Sequence, residues 1–207
     1  MPYTLDSLDY DGPRMEAEWI GWGHAPGEVE ARRRSEVVRN GWQNGARRLT
    51  QDEIPDGLLL KGVKNAPELG YDNAWAFAPS GALIIRDDFR KMIEDMDPGL
   101  HQFLDMPVYL KYRKEKIRAR DDWYLLNILC HQETLDEKKS RGLRDLTWTS
   151  NKLIASPSGV VLDESKLSEA NLWHEKGYIF QTFMSDRLHE AIKEAGIKFY
   201  KRHKVKS

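Results

Sequence analysis

Cysteine is almost absent from this sequence of 207 residues, and this scarcity excludes two classes of protein, those stabilised by disulfides and those with a zinc site built from thiolates. Cys130 is the single cysteine, so no disulfide bond can form within the chain. A structural zinc site built from several thiolates is excluded for the same reason. The six histidines also show none of the i, i+4 spacing that binds zinc on one face of a helix. The sequence therefore implies neither a metal site nor a disulfide scaffold.

Long hydrophobic runs are absent as well. No apolar segment approaches the roughly 20 residues needed to cross a bilayer. The opening residues, MPYTLDSLDYDG, have neither the basic start nor the apolar stretch of a secretory signal. The chain is 40% hydrophobic and 31% charged, a composition typical of a globular protein. We therefore expect a cytoplasmic protein with no membrane partner.

An excess of either charge is also missing. The 32 Lys and Arg residues nearly balance the 33 Asp and Glu residues, so net charge favours neither nucleic acid nor an anionic membrane. Two local basic stretches remain, 111–120 (KYRKEKIRAR) and 198–206 (KFYKRHKVK). The second interleaves aromatic residues, a composition that suits single-stranded nucleic acid. A nucleic-acid-binding module is therefore one alternative, although a solubilising terminal strand is favoured.

The motifs of common catalytic sites are absent too. The sequence has no G-x-S-x-G nucleophile elbow, no G-x-x-x-x-G-K-[ST] phosphate loop and no G-x-G-x-x-G fingerprint. His131 and Glu133 match half of a zinc deaminase signature, but the cysteine pair of the other half is missing. Cys130 and His131 are neighbours, which an extended backbone would point to opposite faces. No catalytic residue and no cofactor is predicted, and an enzyme whose acidic residues meet only in the folded chain stays an alternative.

What the sequence does contain is a pattern of strand, helix, glycine and strand that occurs twice. Ser185 and Asp186 supply side-chain oxygens for the start of a helix predicted over about 185–195, and Asp87 does so for one over about 86–97. Both helices carry apolar residues at i, i+3, i+4 and i+7. The two stripes are Phe89, Met92, Ile93 and Met96, and Leu188, Ala191, Ile192 and Ala195. An ancient duplication is one hypothesis for this match.

The other segments with a clear sequence pattern predict strands that pair in hairpins. The segment Trp123–Leu129 is almost continuously apolar, which predicts a central strand. Segment 111–120 is charged on both faces and fits the exposed end of a hairpin. Another hairpin is predicted between 146–155 and 159–162, around a Ser-Pro-Ser-Gly turn. These features indicate an α+β fold with largely antiparallel sheets and a single compact domain over 1–207.

Residues 1–50 form a region rich in glycine and tryptophan, in which regular elements must be short. Trp19, Trp22 and Trp42 lie in this region. Tryptophan in such a segment either pins it onto the core or presents a contact surface to a partner. The composition favours pinning and leaves the second interpretation open.

Four stretches carry a family likeness, namely Gly81–Phe103, Trp123–Leu129, Val160–Gly177 and Phe180–Val205. In order and spacing they resemble an immunity-protein family of bacterial polymorphic toxin systems, over about residues 75–205. The resemblance implies an α+β protein that binds a cognate toxin domain and protects the cell that makes it. It brings no catalytic residues with it. A cytoplasmic location would further imply a toxin that acts on a cytoplasmic target.

Under this resemblance, we expect the toxin to contact the chain where the core pattern is weakest. Interfaces between proteins depend on aromatic and arginine anchors. The N-terminal region supplies such anchors, and a second aromatic group follows a short polar element near residue 173. The candidate toxin-binding residues are Trp19, Trp22, Arg32, Arg33 and Trp42, with Trp173 and His174 as the second group.

Overall fold

The structure is a computed structural model that describes residues 2–5, 17–20, 47–61, 75–77, 82–145, 152–154, 157–178, 181–197 and 202–206. Within these ranges the chain forms short strands in several sheets together with two α-helices, which confirms the predicted α+β class. No helix of the described ranges combines the length and the apolar character needed to cross a membrane.

The elements are numbered in chain order. The helices are α1 (Asp87–Met96) and α2 (Asp186–Glu194). The strands are β1 (Tyr3–Leu5), β2 (Ala17–Ile20), β3 (Gly57–Leu60), β4 (Trp75–Phe77), β5 (Leu83–Arg86), β6 (Gln102–Asp105), β7 (Val108–Tyr112), β8 (Glu115–Arg118), β9 (Trp123–Asn127), β10 (His131–Gln132), β11 (Leu143–Asp145), β12 (Lys152–Ile154), β13 (Leu172–Glu175), β14 (Thr182–Met184) and β15 (Arg202–Lys204).

The first sheet is built around β9, the strand that the apolar run predicted. Its order is β4-β5-β9-β6, and all neighbouring strands are antiparallel. Leu125 and Leu126 are adjacent on β9 and are both buried. Because adjacent residues of a strand point to opposite faces, both faces of β9 must be covered. Leu125 belongs to one hydrophobic cluster and Leu126 to another, so the central strand separates two parts of the core.

A second sheet repeats the topology of the first. Its order is β10-β13-β14-β1-β15, and all of its pairs are antiparallel except the edge pair β10–β13. In both sheets a hairpin leads into a helix, and the strand after that helix returns beside an inserted strand, β9 or β1. The registers also correspond: Ile85, Tyr124 and Asp105 lie opposite one another in the first sheet, as do Met184, Tyr3 and Lys204 in the second. This correspondence supports the duplication hypothesis.

The two helices lie where the sequence predicts them, but their starts differ. Ser185 is the N-cap of α2, and its hydroxyl oxygen accepts a hydrogen bond from the Leu188 N–H at 3.1 Å. The prediction that Asp87 caps α1 is wrong, because Arg86 is the N-cap and makes no side-chain capping bond. Asp87 is the first helical residue, and its carboxylate pairs with the side chains of Arg90 and Lys91.

On each helix, two of the four residues of the predicted apolar stripe are buried. Phe89 and Ile93 of α1 are buried, and so are Leu188 and Ile192 of α2. The two helices contact each other, and these four side chains lie in one hydrophobic cluster, here called the helix cluster. The amphipathic pattern is therefore satisfied by a shared core rather than by two separate ones.

The last turn of α2 departs from the prediction. Ala195 is exposed and follows the final helical residue, whereas His189 is buried. The His189 ring stacks on the Tyr3 ring with 3.7 Å between centroids, so the inserted strand β1 determines which side chain the helix buries. Gly99 and Gly196 follow the helices with a φ of 67°, the left-handed conformation that glycine adopts most readily.

The third sheet has the order β2-β3-β7-β8 and contains the parallel pair β3–β7. Gly57 opens β3 and lies tight against the neighbouring chain. A Cβ atom at this position would lie 2.6 Å from the carbonyl oxygen of Pro107, well inside contact distance. The glycine therefore lets β3 approach β7 closely enough to pair with it. Strand β8 is the last strand of the sheet and forms the predicted exposed hairpin with β7.

The hairpin predicted between 146–155 and 159–162 is wrong. Strand β12 pairs instead with β11, upstream in the chain. Residues Pro157–Gly159 form a single 3-10 turn, which redirects the chain away from β12. Val161 and Leu162 then bridge to Lys206 and Leu135 respectively.

A buried carboxylate joins the two halves of the fold. Asp97 follows α1 directly and is 5% exposed. It accepts hydrogen bonds from the backbone N–H groups of Asn171 and Leu172 at 2.9 and 3.0 Å, and it lies 3.3 Å from His101 Nε2. The Asn171 side chain in turn accepts a 2.7 Å hydrogen bond from the Ser185 hydroxyl. The end of α1 is thus connected through β13 to the start of α2.

Candidate functional site

The candidate anchor that the structure describes in the N-terminal region is Trp19. It lies on the edge strand β2, is half-buried, and packs against the core cluster that contains Leu58 and Leu125. The neighbouring Glu18 is exposed and forms an ion pair with Lys61. Trp19 therefore pins its strand onto the core and still leaves part of its ring at the surface. The other N-terminal candidates, Trp22, Arg32, Arg33 and Trp42, lie outside the described residues.

Trp173 occupies a different environment from the one predicted for it. It is 2% exposed, and its ring lies nearly parallel to that of Phe183 with 5.8 Å between centroids. Its indole N–H donates to the Thr134 hydroxyl at 3.4 Å. The prediction that Trp173 contacts a partner does not fit this burial. The ring lies in a hydrophobic cluster with Phe183, Leu162 and Val205.

His174 is half-buried beside Trp173 and is held by its neighbours. Its Nδ1 atom lies 3.3 Å from the Gln181 carbonyl oxygen and 3.0 Å from the Thr182 hydroxyl. The His131 ring contacts it edge-on with 5.5 Å between centroids. Burial, together with the nearby His131, lowers the pKa of His174 to about 3, so the imidazole is neutral near pH 7.

A cleft of about 550 Å³ lies beside this strand and is the place where an acidic active site would be sought. Its walls carry five carboxylates and three lysines. These side chains are Glu133, Asp136, Glu137, Asp163 and Glu175, with Lys138, Lys166 and Lys176.

Four of the five carboxylates of the cleft are already paired with lysines. Glu133 pairs with Lys176 at 2.6 Å, and this hydrogen bond lowers the pKa of Glu133. Asp136 pairs with Lys139 at 3.0 Å, Glu137 with Lys152 at 2.7 Å, and Asp163 with Lys166 at 3.8 Å. The cleft therefore presents a network of ion pairs in which neighbouring charges are largely neutralised.

Glu175 differs from these groups because burial raises the pKa of its carboxyl. Carboxyls with pKa values pushed in opposite directions are characteristic of acid–base catalysis. However, Glu175 is only 3% exposed. One oxygen accepts from the Thr134 hydroxyl at 2.6 Å and the other from the Leu135 N–H at 2.9 Å. These contacts make the carboxyl a support for the 134–135 segment. Among the described residues, no group of three or more His, Cys, Asp or Glu side chains could hold a metal ion.

Within the described residues, a strongly basic surface is formed by the hairpin of β7 and β8, with the turn between them and Arg120 just after it. This element, residues 108–120, is called the basic hairpin below. Its basic side chains are all exposed, namely Lys111, Arg113, Lys114, Lys116, Arg118 and Arg120. In the described ranges none of them forms an ion pair, whereas Lys61, Arg86 and Lys152 each pair with a carboxylate.

The outer face of the basic hairpin brings two positive charges together. Val108 and Leu110 of β7 are buried, so the alternating positions 109 and 111 face outward. Lys111 lies directly opposite Lys116 in the register of the two strands. Like charges in this arrangement destabilise a strand pair.

The comparison with known families decides what kind of protein this is. The model of the immunity protein family Imm11 matches residues 15–206. The chain belongs to this family. No curated protein matches the chain.

The family match reaches further toward the N-terminus than the resemblance predicted. The expected region was about 75–205, whereas the match begins at residue 15. The tryptophan-bearing segment is therefore part of the immunity protein's family region rather than an addition to it. Membership carries the expectation of a toxin partner in general, and it assigns no catalytic residue to any position.

Two features of the immunity protein were not recognised from the sequence as parts of a site. The ion-pair cleft depends on contacts between 133–138, 163–166 and 175–178, which are distant in sequence. The basic hairpin was visible as the run KYRKEKIRAR, which was predicted to be the exposed end of a hairpin and was not included among the toxin-binding candidates. The signal that distinguishes it from an ordinary exposed hairpin is that its basic side chains form no ion pair with the described residues, and this requires the structure.

Proposed function

We propose that this protein neutralises a cognate bacterial toxin by binding it, in the cytoplasm of the cell that makes both. The observation that carries the proposal is membership of the Imm11 family over residues 15–206. The cytoplasmic location is the expectation drawn from the sequence, and it directs attention to toxins that act on a cytoplasmic target. We expect a stoichiometric complex, since binding alone removes toxin activity.

The arrangement of the cleft counts against the alternative of an enzyme with an acidic site. Four of its five carboxylates are paired with lysines, and the fifth, Glu175, has a raised pKa but supports the backbone. The alternative of an enzyme with an acidic site would need a protonated carboxyl that a substrate can reach. The second alternative, nucleic-acid binding through the terminal basic strand, involves residues 198–206, of which 202–206 are described. In that strand Arg202–Lys204 pairs with β1.

The test of function uses the toxin domain that we expect to be encoded next to the gene for this chain. Cells that express the toxin domain alone should stop growing, and co-expression of this chain should restore growth. The two proteins should also purify together through a tag on either one. A matched control is an unrelated immunity protein expressed at the same level. Full toxicity in the presence of this chain, with no complex formed, would refute the proposal.

The N-terminal candidates give a second prediction within the proposed function. We expect that Trp22→Ala and Arg33→Glu each weaken toxin binding by about 1 kcal/mol or more, since truncated interface anchors cost this much. The melting temperature should not change. Trp19→Ala is the comparison, because Trp19 packs on the core and its loss should lower stability. Reduced stability with unchanged affinity in the Trp22 and Arg33 variants would remove these residues from the interface.

A further inference from the structure

The basic hairpin maintains its charge at a cost to its own stability. Lys111 and Lys116 face each other across the strand pair without a carboxylate between them. The two-residue turn adds a second cost, because Arg113 has a φ of 56°. In the described ranges Arg113 is the one residue other than glycine with a positive φ. Turns of this length strongly favour glycine or asparagine where φ is positive.

Features that oppose local stability mark positions whose side chains serve another purpose. A glycine at 113 and an acidic residue at 111 or 116 would both make a more stable hairpin. The sequence instead places arginine and lysine there. The exposed positive charge is therefore the property that the hairpin presents.

We propose that the basic hairpin docks onto an acidic surface of the toxin. This inference rests on the proposed function and adds to it the location and the charge of the contact. Lys111 and Lys116 lie on exposed strand positions next to the Arg113–Lys114 turn and present one positive surface. Arg118 continues this surface to the edge of a cleft that Asp105, Asp121 and Asp122 also line. A toxin surface rich in Asp and Glu would provide carboxylates for these side chains, which form no ion pair with the described residues of their own chain.

The aromatic residues of the hairpin favour a protein partner over nucleic acid. Single-stranded nucleic acid binds where bases can stack on open aromatic faces. The Tyr109 ring is covered by the Lys116 ammonium group at 4.0 Å from its centroid, and the Tyr112 ring by the Arg113 guanidinium at 5.3 Å. Both rings are also half-buried. The hairpin therefore offers cations held in fixed positions and no free stacking platform.

The central experiment compares two triple charge reversals in the full chain. The test variant is Lys111→Glu, Lys116→Glu and Arg118→Glu. The control variant is Lys138→Glu, Arg144→Glu and Arg187→Glu, which reverses exposed residues elsewhere and has the same net charge. Binding to the toxin domain encoded by the adjacent gene is followed kinetically, together with the melting temperature and growth protection.

We expect the test variant to associate with the toxin at least about tenfold more slowly, because charges at an interface rim act mainly on the association rate. The control variant should associate as the wild type does. Equal association rates for all three proteins would overturn the hairpin proposal and leave the proposed function standing. Failure of the wild type to bind would overturn the proposed function itself. Hairpin-dependent binding of an oligonucleotide at about 50 mM salt, with no hairpin effect on the toxin, would also overturn the inference.

A single substitution separates binding from folding. Arg113→Gly removes the strained φ, so the melting temperature should stay the same or rise. The same change removes one cation from the proposed contact, so toxin association should slow by about twofold to fivefold. A lower melting temperature, or an unchanged association rate, would contradict the role given to Arg113.

Discussion

Replacing Asp97 by alanine is expected to lower the free energy of unfolding by about 3–5 kcal/mol. The carboxylate is buried and accepts bonds from two backbone N–H groups and from the Asn171 side chain. Without it, the N–H groups of Asn171 and Leu172 would remain buried with no acceptor. The loss is measured by chemical denaturation of both proteins, provided that unfolding is a single transition.

Two companion variants identify the cause of this loss. Asp97→Asn keeps one acceptor oxygen and nearly the same shape, so it should cost about 1–3 kcal/mol, less than alanine does. Asp95→Ala removes an exposed carboxylate from the same helix and should change stability by less than about 0.5 kcal/mol. Losses of equal size at positions 95 and 97 would show that removing any carboxylate near the end of α1, and not the loss of the buried network, determines the effect.

The same carboxylate should make stability depend on pH in acid. Burial alone would raise the pKa of Asp97, but hydrogen bonds from His101 and Asn171 hold it below its ordinary value. A group whose pKa is lowered by folding contributes stability above its unfolded pKa of about 3.9. That contribution disappears as the pH falls through the folded pKa. Wild type should therefore lose more stability than Asp97→Asn when the pH is lowered from 5 to about 2.5.

The parts of the fold that were predicted correctly are those whose structure is determined by residues close to one another in the sequence. Both helices were located because their apolar residues recur at helical spacing and a glycine follows each of them. The central strand β9 was located because its composition is apolar over consecutive residues. In each case the information lies within about a dozen neighbouring residues, which is the range over which periodicity can be recognised.

The incorrect predictions involve choices between competing partners that lie close in sequence. Strand β12 was assigned to the downstream segment 159–162, although the structure pairs it with β11. The cap of α1 was assigned to Asp87, which pairs with side chains one turn ahead instead of capping the helix. Residue type and spacing alone do not distinguish these alternatives, because both partners in each case are within reach in the sequence.

The candidate site was predictable to a similar extent. The run of charges in 111–120 identified an exposed hairpin, but composition alone did not single it out as a contact surface. Three observations come only from the structure: the lack of carboxylate partners among the described residues, the alignment of Lys111 with Lys116 and the positive φ of Arg113. For Trp173 the error has the opposite direction. Its aromatic character suggested an interface residue, but the structure buries it in the core.

The two helix–strand units also make a prediction about how the core responds to truncation. Phe89 and Leu188 occupy equivalent positions in α1 and α2, and both lie in the helix cluster. Phe89→Ala should cost about 3–5 kcal/mol and Leu188→Ala about 2–5 kcal/mol, because each deletes a buried side chain and leaves a cavity. Chemical denaturation of the single variants measures these losses. Leu100→Ala is the control, since Leu100 is 36% exposed and should change stability by less than about 0.5 kcal/mol.

The double variant tests whether the two units share one core. Side chains that line a common cluster should not act independently, because the first cavity already loosens the surroundings of the second. We therefore expect the loss in Phe89→Ala/Leu188→Ala to differ from the sum of the single losses by about 0.5–3 kcal/mol. Strict additivity, or two separate unfolding transitions, would mean that each helix stabilises its own sheet. In that case the two repeated units would fold separately. A double-variant loss that differs from the sum of the single losses would instead identify the helix cluster as the contact through which the two units fold together.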